Sequence, residues 1–152
     1  MTPYQLHVRD WSDCTKCPLH ERRKKVVLCR GSLPCDVIFI GEAPGVNEDA
    51  LGLPFIGPAG DLLDRIIQVA LDGLALDPPP TLGFSNLIGC IPLDEDGDKV
   101  ETPPPEAIAA CAPRLIDLVR MANPKLLVRV GKEAQHHLTP GYRDSVRLAY
   151  DG

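Results

Sequence analysis

Two thiols three positions apart, Cys14 and Cys17, form a C-x2-C pair, the spacing that brings two thiolates to one metal centre. Four more cysteines follow: Cys29, Cys35, Cys90 and Cys111, the last two separated by twenty residues. Alone, the pair is open to zinc binding and to redox chemistry as well. A second group lies just beyond the apolar run Val37 to Ile40. The stretch Gly41 to Gly60 (GEAPGVNEDALGLPFIGPAG) holds five glycines, three prolines, three acidic residues and a single phenylalanine. It is far longer than a plain connector, and long ordered loops tend to be functional. Gly41 and Gly45 flank a stiffening Pro44, which implies a rigid rim of backbone amides with one carboxylate, Glu42, beside it. The stretch lacks both G-x4-G-K-[ST] and G-x-G-x-x-G, so it is neither a phosphate loop nor a dinucleotide fingerprint. Such a rim suits a small planar ligand or a held water. Phe55 would stack on a base, a contact worth roughly 1–3 kcal/mol, or would fill a satellite of the core. Glu42 taken alone reads equally as a solvated loop carboxylate.

The elements that must position these residues alternate. Val37 to Ile40 (VIFI) predicts a strand buried on both faces. Asp61 to Ala75 places Leu62, Leu63, Ile66, Ile67, Ala70 and Leu71 at helical spacing, an amphipathic helix that DPPPT, residues 77 to 81, must end. Leu82 to Ile88 predicts a second strand and Lys125 to Val130 a third. Glu106 to Met121 predicts a helix, with Pro113 a candidate kink, and Gly131 to Leu138 a short one. Pro92 to Pro105 (PLDEDGDKVETPPP) is a polar, proline-rich loop. The alternation implies an α/β fold, a central mostly parallel sheet with helices on both faces, whose ligands bind beyond the carboxyl ends of the strands. Glu42, Asn86, Cys90 and the Gly131 turn all fall on that edge.

At 152 residues the chain fits one domain spanning 1–152. Its 44% hydrophobic and 24% charged content is that of a globular protein. No apolar run reaches membrane-spanning length, and the N-terminus has no apolar signal core, so the expectation is a cytoplasmic monomer. Six cysteines there need a reason other than disulfides. A net charge of -5 argues against nonspecific coating of nucleic acid. His20 to Arg30 nevertheless carries five Lys or Arg residues, a solvated helix end or a local basic patch.

Taken in order, C-x2-C, DVIFIGEAPG, ED-x2-G-x-PF-x-G-x-AG, SN-x3-C, PPPE-x4-C and a strand ending VGKEA resemble the family 4 uracil-DNA glycosylases. These are the iron–sulfur members of the uracil-DNA glycosylase superfamily. The likeness runs from Cys14 to about Ala134. It implies an α/β/α sandwich and a structural [4Fe-4S] cluster on Cys14, Cys17, Cys90 and Cys111, with zinc in the same cage as the alternative. Cys29 and Cys35 fall outside that pattern, and Cys35 reads as a small buried hydrophobe.

The resemblance further implies that uracil-containing DNA is the substrate. Phe55 would stack on a flipped uracil and Asn86 would bond its pyrimidine edge, since one amide is both donor and acceptor. Glu42 would be the catalytic residue in the water-handling loop, with Gly41 and Ala43 lining the substrate. At Ala43 some superfamily members carry a water-activating aspartate. Alanine there implies heavier reliance on stabilising the leaving group, to which the amides of Gly41 to Gly45 would add. The family's second catalytic motif, a His-Pro-Ser type segment, has no match: none of His7, His20, His136 and His137 precedes proline. The expectation is therefore a C-terminally short member of the fold. A variant that bonds covalently to the abasic sugar through a loop histidine is disfavoured, because Pro92 to Pro105 is acidic and has none. The rival readings are a noncatalytic, phage-type polymerase-associated or nucleic-acid-binding protein that keeps the fold, and a zinc-stapled domain of another function.

Overall fold

The computed structural model describes residues 1–138. Helix α1 (Pro3–Trp11) opens the chain, capped by the hydroxyl of Thr2 on the amide of Gln5 and by proline in its first turn. A single 3-10 turn (Pro18–Glu21) follows. Then come β1 (Arg30–Gly31), β2 (Val37–Gly41), α2 (Val46–Leu51), α3 (Pro58–Leu74), β3 (Leu82–Asn86), α4 (Pro105–Ala122), β4 (Leu126–Arg129) and α5 (Lys132–His137). The described sheet runs β1-β3-β2-β4. Strand β2 pairs in parallel with both β3 and β4, while the two-residue β1 lies antiparallel on β3. This is the α/β architecture with a mostly parallel sheet that the alternation predicts.

Register fixes the site. Phe39 lies opposite Phe84, and Gly41 opposite Asn86, so these four share one face of the sheet, since side chains alternate along a strand. Ile38, Ile40 and Ser85 point to the other, where Leu115, Leu118, Val119 and Ala122 of α4 join the main core. Phe39 and Phe84 stack with ring centroids 5.2 Å apart. Helix α4 stays unbroken across Pro113, and Asn123, at a φ of 44°, closes it in the left-handed conformation.

Four features depart from the sequence-based expectation. Helix α1 has no counterpart in it. The Gly41–Gly60 stretch is not continuous loop but contains α2. Helix α3 begins three residues early, at Pro58, and Leu62 and Ile66 of its apolar set are exposed. Nor is the basic run a solvated helix end: Val27, Leu28 and Cys29 are core residues, and Arg23 and Arg30 turn inward onto backbone and sulfur. No helix among the described residues is long and apolar enough to cross a membrane.

Candidate functional site

Strands β2 and β3 end side by side at Gly41 and Asn86, and the chain beyond them builds a cleft of about 500 Å³. Gly41, Glu42, Ala43, Phe55 and Asn86 all line it, with Glu48, Gly57 and Val130. Gly41 is glycine for a steric reason. A methyl there would overlap Cζ of Phe55 and come within 2.6 Å of Oδ1 of Asn86. The phenyl ring and the amide thus converge on one hydrogen atom. Asn86 is 3% exposed, and its side chain makes no hydrogen bond to another described residue, so among these residues nothing competes with a ligand in the cleft for its amide.

Phe55 is held there against its own preference. Its φ is 57°, a left-handed conformation that costs a bulky residue about 1–3 kcal/mol and persists only where neighbours enforce it. The guanidinium of Arg30 donates to the carbonyls of Pro54 (2.7 Å) and Phe55 (3.1 Å), lies 3.9 Å over the ring of Phe84, and is itself anchored by Asp64 at 2.9 Å. On the other side the Glu48 carboxylate accepts the amides of Ile56 (3.0 Å) and Gly57 (2.6 Å) with one oxygen and that of Gly45 (3.0 Å) with the other. Glu48 therefore ties both arms of the loop together, and the Gly45 amide is engaged by it rather than free to face a ligand. Its neighbour Asp49 is buried and accepts the amides of Lys24 (2.8 Å) and Lys25 (3.3 Å), fixing two exposed lysines against α2. Burial, and behind it the charge of Glu133 on α5, holds the Glu42 carboxyl above the ordinary glutamate range.

Cys14, Cys17, Cys90 and Cys111 line a second cavity together, with Trp11, Lys16, Arg23 and Arg114 around them. Burial pushes the Cys90 thiol up to about 11 against the pull of Arg23, with Cys111 and Cys17 raising it further. Burial likewise raises Cys17, which Cys111 and Cys14 also raise. Cations surround the sulfurs. Arg23 donates to the carbonyl of Cys14 at 2.5 Å and approaches the Cys90 sulfur at 3.6 Å, and Arg114 donates to the Cys111 sulfur at 3.1 Å. Thiols at this half-buried site, among guanidinium groups, are good ligands, because a bound metal removes their protons outright. The donor set and its charge fit a thiolate-held metal centre. A tetrahedral zinc and a multi-iron centre are both held by four cysteine thiolates. Cys29 and Cys35 lie elsewhere, in the core.

Arg23, Arg30 and Arg114 hold the site together and lie outside the quoted motifs, while Glu48 and Asp49 stand in the ED-x2-G motif without a role read for them. Only Arg114 carries a legible signal: it interrupts the apolar stripe Ala107, Cys111, Leu118 of α4, where a charge requires a buried partner.

With this geometry in view, the similarities to known proteins are specific. A family model described as the uracil DNA glycosylase superfamily matches residues 30–150, a segment that begins after the Cys14–Cys17 pair. A type-4 uracil-DNA glycosylase of Thermotoga maritima is 34% identical over 133 residues, covering 88% of this chain and 64% of the relative. Those of Saccharolobus solfataricus and Pyrobaculum aerophilum are each 35% identical, covering 82% and 78% of this chain but 54% and 56% of their own lengths. The chain thus spans between half and two thirds of the curated relatives it matches. Residues with the paired-strand cleft and the sulfur-lined cavity lie within a chain that belongs to the uracil DNA glycosylase superfamily, with type-4 enzymes among its relatives.

Proposed function

We propose that this chain acts as a type-4 uracil-DNA glycosylase, extruding uracil from DNA and hydrolysing its N-glycosidic bond. The observation that carries this reading is the convergence of the Phe55 ring and the unengaged Asn86 amide on Gly41, in one cleft at the carboxyl edge of the sheet. A base must leave the stack before its glycosidic bond can be reached. Once out, it would lie on Phe55, while Asn86 donates to one of its edge atoms and accepts from the neighbouring N–H. Lys24 and Lys25, fixed through their backbone to Asp49, supply positive charge beside α2 for the DNA phosphates.

Bond cleavage leaves positive charge on the sugar and negative charge on the departing uracil. Glu42, ionised, would hold a water and face the sugar. No histidine lines the cleft among the described residues, so within them the base is stabilised by Asn86 and by backbone amides of the Gly41 rim, the one at Gly45 excepted. The second cavity supports a [4Fe-4S] cluster on Cys14, Cys17, Cys90 and Cys111, a centre that braces the N-terminal arm, the segment after β3 and α4. A thiolate-held centre calls for a reducing compartment, and a DNA substrate for one that holds DNA; the cytoplasm meets both.

A uracil-containing oligonucleotide tests the enzyme reading. Excision should leave an alkali-labile site that Asn86→Ala abolishes. Retention of the oligonucleotide without strand lability would instead support a noncatalytic nucleic-acid-binding protein. Iron and sulfide content with broad visible absorbance tests the centre, and stoichiometric zinc would replace the cluster.

A further inference from the structure

Arg114 is 1% exposed, and its hydrogen-bond partners include no carboxylate among the described residues. Nε donates to the sulfur of Cys111 at 3.1 Å. Nη1 reaches the Ser85 hydroxyl at 3.3 Å, and Nη2 donates to the carbonyls of Asn86 (2.6 Å) and Leu87 (3.3 Å). A buried guanidinium carries a large desolvation cost, and among its described partners Cys111 is the one that a metal centre would hold as a thiolate. The next link in the chain is equally direct. The Leu87 amide donates to the carbonyl of Gly41 at 2.9 Å and that of Ile88 to Glu42 at 3.4 Å. One side chain therefore connects a sulfur of the second cavity to the peptide planes that aim Asn86, and through them to the start of the glycine loop.

We propose that Arg114 is a positioning residue through which the four-cysteine centre holds the recognition edge of the cleft, so that occupancy of the centre sets how firmly Asn86 and the Gly41 turn are fixed. A bound metal would fix the Cys111 sulfur, and with it the Nε end of a guanidinium whose Nη2 holds the carbonyls of Asn86 and Leu87. Without it that sulfur is tethered only by its own side chain, and the guanidinium loses a fixed anchor. Arg114 approaches from the α4 side, opposite the face on which the Asn86 side chain lies, so it cannot touch a base in the cleft. It acts on direction, not on contact.

The proposal rests on the metal-centre reading above but not on excision, and its test uses no uracil. Amide exchange at Leu87 and Ile88 is measured in the full metal-loaded chain and in Arg114→Met and Arg114→Lys, with the Leu126 amide, which bonds the Asp36 carbonyl at 3.1 Å at the opposite end of the strands, as a remote control. Arg114→Met should speed exchange at the two amides about tenfold or more, the effect of losing a hydrogen bond to a charged group, and leave Leu126 unchanged. Arg114→Lys, which keeps the charge but cannot span sulfur and carbonyls together, should do the same while retaining metal. Removing the metal from the parent should reproduce the acceleration, and removing it from Arg114→Met should add little. Unchanged exchange in both variants, or fully additive effects of variant and metal removal, would overturn the coupling. Where metal removal unfolds the chain, the two loaded variants decide alone. An active glycosylase with uncoupled amides sinks this proposal only; coupled amides in a chain that leaves uracil in place sink only the enzyme.

Discussion

Arg30 holds Phe55 by its backbone: the guanidinium on β1 donates to the Phe55 carbonyl at 3.1 Å, while the ring it positions leans on Phe84 at a centroid distance of 6.0 Å. The contact spans the sheet edge and joins the basic run to the glycine loop. It also explains how a bulky residue keeps a positive φ, since the carbonyl of that peptide is fixed by Arg30 and the following amide by Glu48.

Arg30→Met should therefore release Phe55 into an extended conformation and withdraw the stacking surface. Loss of two hydrogen bonds from a charged donor, partly offset by relief of the backbone, should lower stability by roughly 1–3 kcal/mol. The expected kinetic signature is a raised KM for uracil DNA, with kcat less affected, read from single-turnover excision and urea unfolding of the same preparation. Parent-like KM in a folded variant would mean the ring is held by other contacts.

Gly41→Ala tests the convergence itself. The added methyl overlaps the Phe55 ring and sits 2.6 Å from Oδ1 of Asn86, so one or both must turn away from the base. Displacement of this size at a reacting centre costs on the order of 10²-fold in rate. Excision should fall by that amount while iron content stays close to the parent's, because the sulfur-lined cavity is not touched, and the unfolding midpoint should drop with the overpacking.

How far the sequence disclosed this arrangement depends on what each residue's partner is. Val37 to Ile40 and Leu82 to Ile88 were readable as strands because apolar runs bounded by glycine and polar residues leave few alternatives; the second ends two residues early, at Asn86, and the parallel pairing puts Gly41 and Asn86 level. Glu42, Phe55 and Asn86 stood out through the glycine-rich context and the family resemblance. Glu48 and Asp49 were visible in the ED-x2-G motif, but their role was not, because their partners are backbone amides, which no side-chain pattern encodes. Arg30 was hidden in the same way. In a run of five basic residues nothing local distinguishes the one that bonds Pro54 and Phe55 from those that remain in solvent. Helix α1 escaped because its buried side is small and mixed, His7 and Trp11, and gives no apolar stripe.

The sulfur cavity separates four cysteines from two. Cys90→Ser should abolish metal retention and lower Tm, by roughly 2–4 °C per kcal/mol lost in a chain of this size, because binding energy of a structural centre is folding energy. Cys29→Ser, in the core and outside the cavity, should keep the metal and its absorbance. Equal metal content in the two variants would remove Cys90 from the ligand set.

Glu42 supplies a pH test with a definite sign. Its folded pKa is raised, first by burial and then by Glu133, so its stabilising contribution is complete below the unfolded pKa and vanishes as pH rises through the higher folded value. Near neutrality the ionised carboxylate is a net burden on the fold. Glu42→Gln should accordingly be as stable as the parent or more so at neutral pH, while excising uracil about 10²–10⁴-fold more slowly if Glu42 handles the water. The parent's kcat/KM should climb with pH along a limb lying above the ordinary glutamate value, as Glu42 loses its proton. Glu133→Gln removes the neighbouring charge without entering the cleft lining, and should move that limb to lower pH with the plateau rate retained. A limb that stays put in Glu133→Gln would assign it to some group other than Glu42, since no other change made there alters the burial of the Glu42 carboxyl.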